Sequence, residues 1–155
     1  ILNEAVEAQR LLFEDFGVAS DVWSVTSYTE LRRDAIEADR WNRLHPGEPE
    51  RVPYVVQQLG KETRPIVAAS DYLKSLPDAI AKWVDTSFTS LGTDGFGRSA
   101  SREELRDFFE VDARHIAFAA ISSLVRDEQL SISVAQRAIE QLGIETERPN
   151  PATTI

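Results

Sequence analysis

The sequence predicts a three-layer α/β/α fold in which helices cover both faces of a mostly parallel mixed sheet. Two observations lead to this prediction. Short runs of β-branched and apolar residues alternate with amphipathic helical stretches, and residues that start and end helices lie between them. The chain has 155 residues, of which 42% are hydrophobic and 28% charged. This length suits one core, so we expect a single domain over residues 1–155.

Four short runs are predicted to form strands. Residues 22–27 alternate apolar and small polar side chains, as a half-buried strand does. The other three runs are rich in β-branched or apolar residues and lie at 54–56, 66–69 and 88–91.

The helices are predicted from apolar periodicity and from capping residues. Ser27 with Glu30 and Ser101 with Glu104 form capping boxes, and Asp112 is a further N-cap. Within residues 72–84, Pro77 lies either in the first turn or at a kink. The predicted helices are 1–16, 29–44, 72–84, 102–109, 112–127 and 133–142, and the tail, 145–155, is predicted to be extended.

A glycine loop at residues 92–99 is the candidate functional site. It joins a predicted strand to the capping box at Ser101, and such a junction can present backbone N–H groups and a partial positive charge. In parallel sheets, ligands face the loops at the carboxyl ends of strands. We therefore expect Asp71, after the run at 66–69, and the glycine loop to lie at the same functional edge.

The glycine loop also resembles a phosphate-binding P-loop, with Arg98 in place of the lysine. Three features oppose nucleotide binding. Asp94 puts a carboxylate where phosphate would lie, arginine differs from lysine in reach and geometry, and the candidate magnesium strand at 66–71 precedes the loop. A simpler interpretation is that the glycines turn the chain and that Arg98 pairs with Asp94 or another acid.

Composition argues against several classes of protein. A net charge of −9 disfavours nucleic-acid binding, and no apolar stretch is long enough to span a membrane. Without cysteine, and with only two histidines, thiolate and histidine-rich metal sites are not expected. No methionine is present and Ile1 lies inside a predicted helix, so we expect a fragment of a longer protein. Since the sequence has neither an apolar span nor a basic-then-apolar leader, we expect that protein to be soluble and cytoplasmic.

Six segments in order along the chain form one recognisable pattern: WSVTS from Trp23, ELRRD from Glu30, WNRLHP from Trp41, VPYV from Val52, SDY from Ser70 and LGTDGFGRS from Leu91. Together they cover nearly the whole chain and resemble the C-terminal domain of the homodimeric bacterial pyruvate dehydrogenases. Residues 109–116 also resemble the stretch that closes the wider transketolase C-terminal fold. Departures from the family pattern are Ala35 and Ala100, where Gly and Asp are expected, and Arg43, where an apolar residue is common.

The resemblance implies a full-length enzyme that decarboxylates pyruvate with thiamin diphosphate and magnesium. The resemblance further implies that this enzyme then acetylates the lipoyl group of its dihydrolipoyl acetyltransferase partner. The resemblance also implies that the cofactor lies between upstream domains of the same chain and across the homodimer interface. In the family, the diphosphate motif is G-D-G followed at a set distance by Asn. Here Thr93 precedes Asp94, and the asparagines are Asn3, Asn42 and Asn150.

We therefore predict no catalytic, cofactor-binding or metal-binding residue in this segment, which should be inactive in isolation. Its expected roles are dimer packing and shaping the approach to the active site, with Asp94, Phe96 and Arg98 as the candidate approach residues. No nucleic-acid or membrane partner is expected. The alternative hypothesis is a free-standing anion- or nucleotide-binding α/β module that uses the loop from Gly92 to Ser99.

Overall fold

The computed structural model describes residues 1–60 and 64–154. Within these ranges the chain forms seven α-helices, one 3₁₀ helix and two β-strands. In chain order they are α1 (Leu2–Phe16), α2 (Tyr28–Leu44), α3 (Tyr54–Leu59), β1 (Ile66–Ala69), α4 (Ser75–Asp78), the 3₁₀ helix (Ala81–Trp83), β2 (Phe88–Leu91), α5 (Arg102–Phe108), α6 (Ala113–Arg126) and α7 (Ile132–Leu142).

The two strands pair in parallel, which confirms the strands predicted at 66–69 and 88–91. Ile66 aligns with Phe88 and Ala69 with Leu91. Successive side chains of a strand point to opposite faces. Each strand therefore places side chains against the helices on both faces of the sheet.

Helices pack on both faces of the sheet, as the predicted three-layer α/β/α architecture requires. On one face, Val67 and Ala69 contact a core formed by α1, α6 and α7. On the other, Ile66 and Phe88 contact a core formed mainly by α2, α3 and the segment around the 3₁₀ helix. The buried residues of the first core are Ala8, Leu12, Ala113, Ile116, Ala117, Ile121, Ala138 and Leu142. Those of the second are Ala35, Val55, Ile80 and Val84.

The strand predicted at residues 54–56 is wrong, because these residues begin α3. Pro53 precedes the helix, and the Tyr54 N–H donates to Asp34 Oδ2 at 2.7 Å. Val55 is buried while Tyr54 is exposed, so the segment packs on one side only. A contact with α2 thus determines the local structure despite the β-branched residues.

The strand predicted at residues 22–27 is also wrong for the part of the chain that the structure describes. These residues adopt no regular secondary structure. Their alternating pattern is that of a strand, but a strand forms only where a neighbouring strand completes its backbone hydrogen bonds.

The remaining helix predictions are confirmed in α1, α2, α5, α6 and α7, with each boundary shifted by at most one residue. The helix predicted over residues 72–84 is shorter, because only α4 and the 3₁₀ helix form there, with Pro77 inside α4. In the tail, residues 151–153 form a turn, and the Asn150 side chain accepts the Ala152 N–H at 2.9 Å. None of the described helices is long and apolar enough to cross a membrane.

Candidate functional site

The glycine loop begins where the carboxyl ends of the two strands are held together by hydrogen bonds. The Ser70 N–H donates to the Leu91 carbonyl and the Thr93 N–H donates to the Tyr72 carbonyl, each at 3.0 Å. The Thr93 hydroxyl donates to the Asp71 carbonyl, also at 3.0 Å. The expectation that Asp71 and the glycine loop lie at the same edge of the sheet is therefore correct.

Gly92 permits this close contact. A Cβ atom at residue 92 would lie 2.5 Å from the Tyr72 carbonyl oxygen and 2.9 Å from the Lys74 backbone nitrogen. Both are backbone atoms that cannot move aside without separating the two segments, so only glycine fits without displacement. The first glycine of the loop therefore has a packing role.

Asp94 is a structural acceptor within the glycine loop. Its Oδ1 accepts the Lys74 N–H at 3.0 Å, which links the loop to the segment after β1. The next residue, Gly95, has a φ of 99°, and a Cβ there would lie 2.7 Å from the Pro151 carbonyl oxygen. The C-terminal tail therefore packs against this part of the loop.

Phe96 and Arg98 lie on the exposed part of the glycine loop. The Phe96 side chain is 64% exposed. The Arg98 guanidinium lies over the Phe108 ring, 4.1 Å from its centroid. Among the described residues, Arg98 forms no ion pair, so the interpretation that it pairs with Asp94 or another acid is wrong. Of the three candidate approach residues, Asp94 accepts a hydrogen bond within the domain, whereas the side chains of Phe96 and Arg98 are available to a partner.

The N-terminus of α5, which follows the glycine loop, is closed by a capping box. Ser101 Oγ accepts the Glu104 N–H at 3.3 Å, and the Glu104 carboxylate accepts the Ser101 N–H at 2.9 Å. Glu103 and Glu104 place two negative charges in the first turn. These charges oppose the partial positive charge of the helix end, so the arrangement disfavours the P-loop alternative.

Arg106 is a residue of this edge that sequence reasoning missed. It extends from α5 toward α1, where its Nη1 donates to Glu4 Oε1 at 2.8 Å. Its Nε lies 3.9 Å from Asp71 Oδ1. Arg106 also lines a cleft at this edge together with Thr93 and Arg102. Glu4 and Arg106 are 102 positions apart, so no local pattern in the sequence indicates the contact.

An ion-pair network fixes the start of α6. Asp112 Oδ1 lies 2.8 Å from Nδ1 of His115 and accepts the His115 backbone N–H at 2.9 Å. Arg114 donates to Asp112 Oδ2 at 2.8 Å and to Asp107 Oδ1 at 2.6 Å, and Arg148 donates to Asp107 Oδ2 at 2.8 Å. Asp107, Asp112 and His115 could together offer ligand atoms to a metal. Two guanidinium groups already neutralise the carboxylates, which is typical of a structural network.

The pKa of Asp112 is well below its ordinary value. Partial burial alone would raise this pKa, but the hydrogen bonds from the ring and backbone N–H of His115 and from Arg114 outweigh that effect. For Asp107, partial burial is likewise outweighed by Arg148 and Arg114, which lower its pKa. Both carboxylates are therefore held in the charged form.

Fold and site together define an α/β domain whose parallel strands end at a glycine loop. The C-terminal tail and α5 both contact this loop. A family model described as the transketolase-like TK C-terminal domain matches residues 1–112. The chain belongs to this family.

Curated relatives match almost the whole chain. It is 46% identical over 152 residues to the pyruvate dehydrogenase E1 component of Pseudomonas aeruginosa, and 44% identical over 152 residues to that of Escherichia coli K12. Each of these matches covers 97% of this chain and 17% of the relative. A relative of the same name from Mycolicibacterium smegmatis is 40% identical over 144 residues, which is 93% of this chain and 16% of the relative. The chain thus spans about a sixth of the length of these relatives.

Proposed function

We propose that this chain is the C-terminal, non-catalytic domain of a pyruvate dehydrogenase E1 component. The single observation that carries the proposal is the 46% identity over 97% of the chain to a relative of that name. In this proposal the full-length enzyme decarboxylates pyruvate and acetylates the lipoyl group of a dihydrolipoyl acetyltransferase. It works in the cytoplasm as a homodimer within a multienzyme complex.

The residues of the glycine loop do not fit thiamin diphosphate with magnesium. Asp94 Oδ1 is engaged by the Lys74 N–H. The backbone at Gly95, where a diphosphate would need open space, packs against the Pro151 carbonyl. In our proposal the cofactor and its metal are therefore held by upstream domains of the full-length chain, and no chemical step is assigned to residues of this domain.

The proposed role of this domain is to pack within the dimer and to shape the approach to the active site. Exposed Phe96 and Arg98 support the second role, because aromatic and arginine side chains are enriched at protein interfaces. Asp94 contributes indirectly, since its bond to the Lys74 N–H fixes the loop that carries them. The approaching partner in this proposal is the lipoyl domain of the acetyltransferase.

We expect Arg98→Ala in the full-length enzyme to lower kcat/KM for the lipoyl domain by about threefold to tenfold, because loss of a charged contact at an interface slows association. The rate with a small artificial electron acceptor should stay unchanged. Steady-state kinetics with both acceptors would test this.

Arg137→Ala is a matched control, because Arg137 also lies near an aromatic ring, Phe16, but on α7. This variant should keep both rates. If Arg98→Ala leaves kcat/KM for the lipoyl domain unchanged, Arg98 does not contribute to the approach of the lipoyl domain to the active site.

A further inference from the structure

The C-terminal tail packs directly against the backbone of the glycine loop. A Cβ atom at Gly95 would lie 2.7 Å from the Pro151 carbonyl oxygen, 3.0 Å from the Ala152 Cα and 3.1 Å from the Ala152 carbonyl oxygen. Backbone therefore lies against backbone, with no room for a side chain at residue 95. Because Arg98 belongs to the same loop, the place of the tail influences the path of the chain that carries Arg98.

Arg148 fixes the tail to the end of α5. Its Nη1 donates to the Asp107 carbonyl oxygen and its Nη2 to Asp107 Oδ2, each at 2.8 Å. The Arg148 side chain is only 22% exposed, so solvent screens this two-point contact less than a contact on the open surface. Because the two residues are 41 positions apart, the contact joins segments that the local chain does not hold together.

The residue next to Asp107 supplies the ring on which Arg98 rests. The Arg98 guanidinium lies 4.1 Å from the centroid of the Phe108 ring. Asp107 and Phe108 are the last two residues of α5, so the Arg148 contact holds the backbone from which that ring extends. An aromatic ring attracts a cation over its face. The position of Arg98 therefore depends on where the end of α5 is held.

Asn150 shapes the part of the tail that reaches the glycine loop. Its Oδ1 accepts the Ala152 N–H at 2.9 Å, which is the pattern of an Asx turn. Its carbonyl oxygen accepts the Thr153 N–H at 3.1 Å. These bonds close a turn that presents the Pro151 carbonyl oxygen to Gly95.

We propose that Arg148 and Asn150 are positioning residues for Arg98. Arg148 holds the end of α5 under the guanidinium, and Asn150 shapes the turn that packs against the glycine loop, so both restrain the chain that carries Arg98. They act on the lipoyl domain only through that side chain. This inference rests on the proposed function, because it gives Arg98 the role of meeting the lipoyl domain. The tail thereby helps to determine how well the lipoyl domain reaches the active site.

Steady-state kinetics of the full-length enzyme test the proposal. We expect Arg148→Ala to lower kcat/KM for the lipoyl domain by about threefold to tenfold, as Arg98→Ala should, because a displaced guanidinium slows association. The rate with a small artificial electron acceptor should stay unchanged, whereas a general loss of folded enzyme would lower both rates. Arg10→Ala is a matched control, because Arg10 also pairs with carboxylates, those of Glu7 and Glu14, but on α1. This variant should keep both rates.

The double variant with Arg98→Ala and Arg148→Ala shows whether Arg148 acts through Arg98. Two substitutions that act through one group do not add, whereas independent substitutions do. We therefore expect the double variant to have the same kcat/KM for the lipoyl domain as Arg98→Ala alone. If the two reductions multiply instead, Arg148 does not position Arg98 and the proposal is overturned.

Asn150 supplies an independent pair of variants. Asn150→Ala removes the acceptor of the Ala152 N–H, while Asn150→Asp keeps an acceptor oxygen at that position. We expect Asn150→Ala to lower kcat/KM for the lipoyl domain by about threefold and Asn150→Asp to retain the unsubstituted value. Equal kinetics in the two variants would contradict the role of this turn. If Arg148→Ala fails to fold, the Asn150 pair still tests the proposal.

Hydrogen exchange in the full-length protein reports on the glycine loop without an activity assay. The Lys74 N–H donates to Asp94 Oδ1 in the loop at 3.0 Å, so its exchange shows how firmly the loop is held. We expect exchange in a peptide that contains Lys74 to become about tenfold faster in Arg148→Ala, while the amide of Ala138 in α7 keeps its rate. Unchanged exchange at Lys74 would overturn the positioning by the tail.

The two proposals fail in different ways. If Arg98→Ala leaves the lipoyl-domain kinetics unchanged while Arg148→Ala speeds exchange at Lys74, the tail holds the loop and the role of Arg98 in the proposed function is wrong. If Arg98→Ala slows the reaction with the lipoyl domain while Arg148→Ala changes neither the kinetics nor the exchange, the positioning alone is wrong.

Discussion

Replacing Glu4 with alanine should lower the free energy of unfolding by about 3 kcal/mol, the lower end of the range for breaking a buried ion pair. Glu4 Oε1 accepts from Arg106 Nη1 at 2.8 Å, and Glu4 Oε2 accepts the Ala113 N–H at 3.0 Å. The Arg106 and Glu4 side chains are only 18% and 24% exposed. The substitution leaves a largely buried guanidinium and the first N–H of α6 without their acceptor, so it loosens α1, α5 and α6 together.

Urea unfolding of three variants would measure this effect. Glu7→Ala is the matched control on the same helix, because Glu7 pairs with Arg10 on the exposed surface, where solvent screens the pair and its contribution to stability is small. Glu4→Gln keeps the shape and one acceptor oxygen, so its effect should fall between the two. If Glu4→Ala and Glu7→Ala have equal unfolding free energies, the contact between α1 and α5 is not a major source of stability.

Asp112→Ala should cost about 2–3 kcal/mol at neutral pH, because it removes both the N-cap of α6 and the acceptor of a partly buried guanidinium. Asp112 should also make stability depend on pH. Its folded-state pKa lies below the unfolded value of about 3.9, so the unfolded chain takes up more protons as the pH falls through that value. The stabilisation is therefore complete above about pH 5 and is lost as the pH falls toward the folded-state pKa.

Chemical unfolding at a series of pH values between about 6 and 3 would test the pH dependence. We expect Asp112→Asn to flatten the loss of stability at the acidic end of this range. Asp15→Asn, at an exposed position of α1, should keep the slope of the unsubstituted chain. Equal slopes in the two variants would show that Asp112 is not coupled to folding through its charge.

Local chemistry made several elements of the fold predictable. The capping box of Ser101 with Glu104 marks the start of α5 within one residue, and Asp112 marks that of α6. Gly17 and Gly143 end their helices in the left-handed conformation, where glycine is favoured. These signals lie within a few residues of the boundary they set, which is why sequence reasoning finds them.

The errors arise where distant contacts decide the outcome. Residues 54–56 have β-branched side chains, but Asp34 accepts the Tyr54 N–H from 20 positions away and α3 forms instead. The strand pattern at 22–27 requires a neighbouring strand, which the described part of the chain does not supply.

The candidate site was predictable in position but not in its contacts. The order of strand, glycine loop and capped helix places residues 92–99 correctly at the carboxyl edge. The partners of Asp94 and Arg98 were not predictable, because the Lys74 N–H comes from 20 positions away and the Phe108 ring from the far end of α5. The sequence suggested that Arg98 pairs with Asp94 or another acid.

Release of carbon dioxide from pyruvate tests the central claim most directly. The present chain and the full-length protein would be assayed side by side with thiamin diphosphate and magnesium. If this chain is the non-catalytic domain of a pyruvate dehydrogenase, only the full-length protein releases carbon dioxide. Release by the 155-residue chain alone, at a rate proportional to its concentration, would contradict the account.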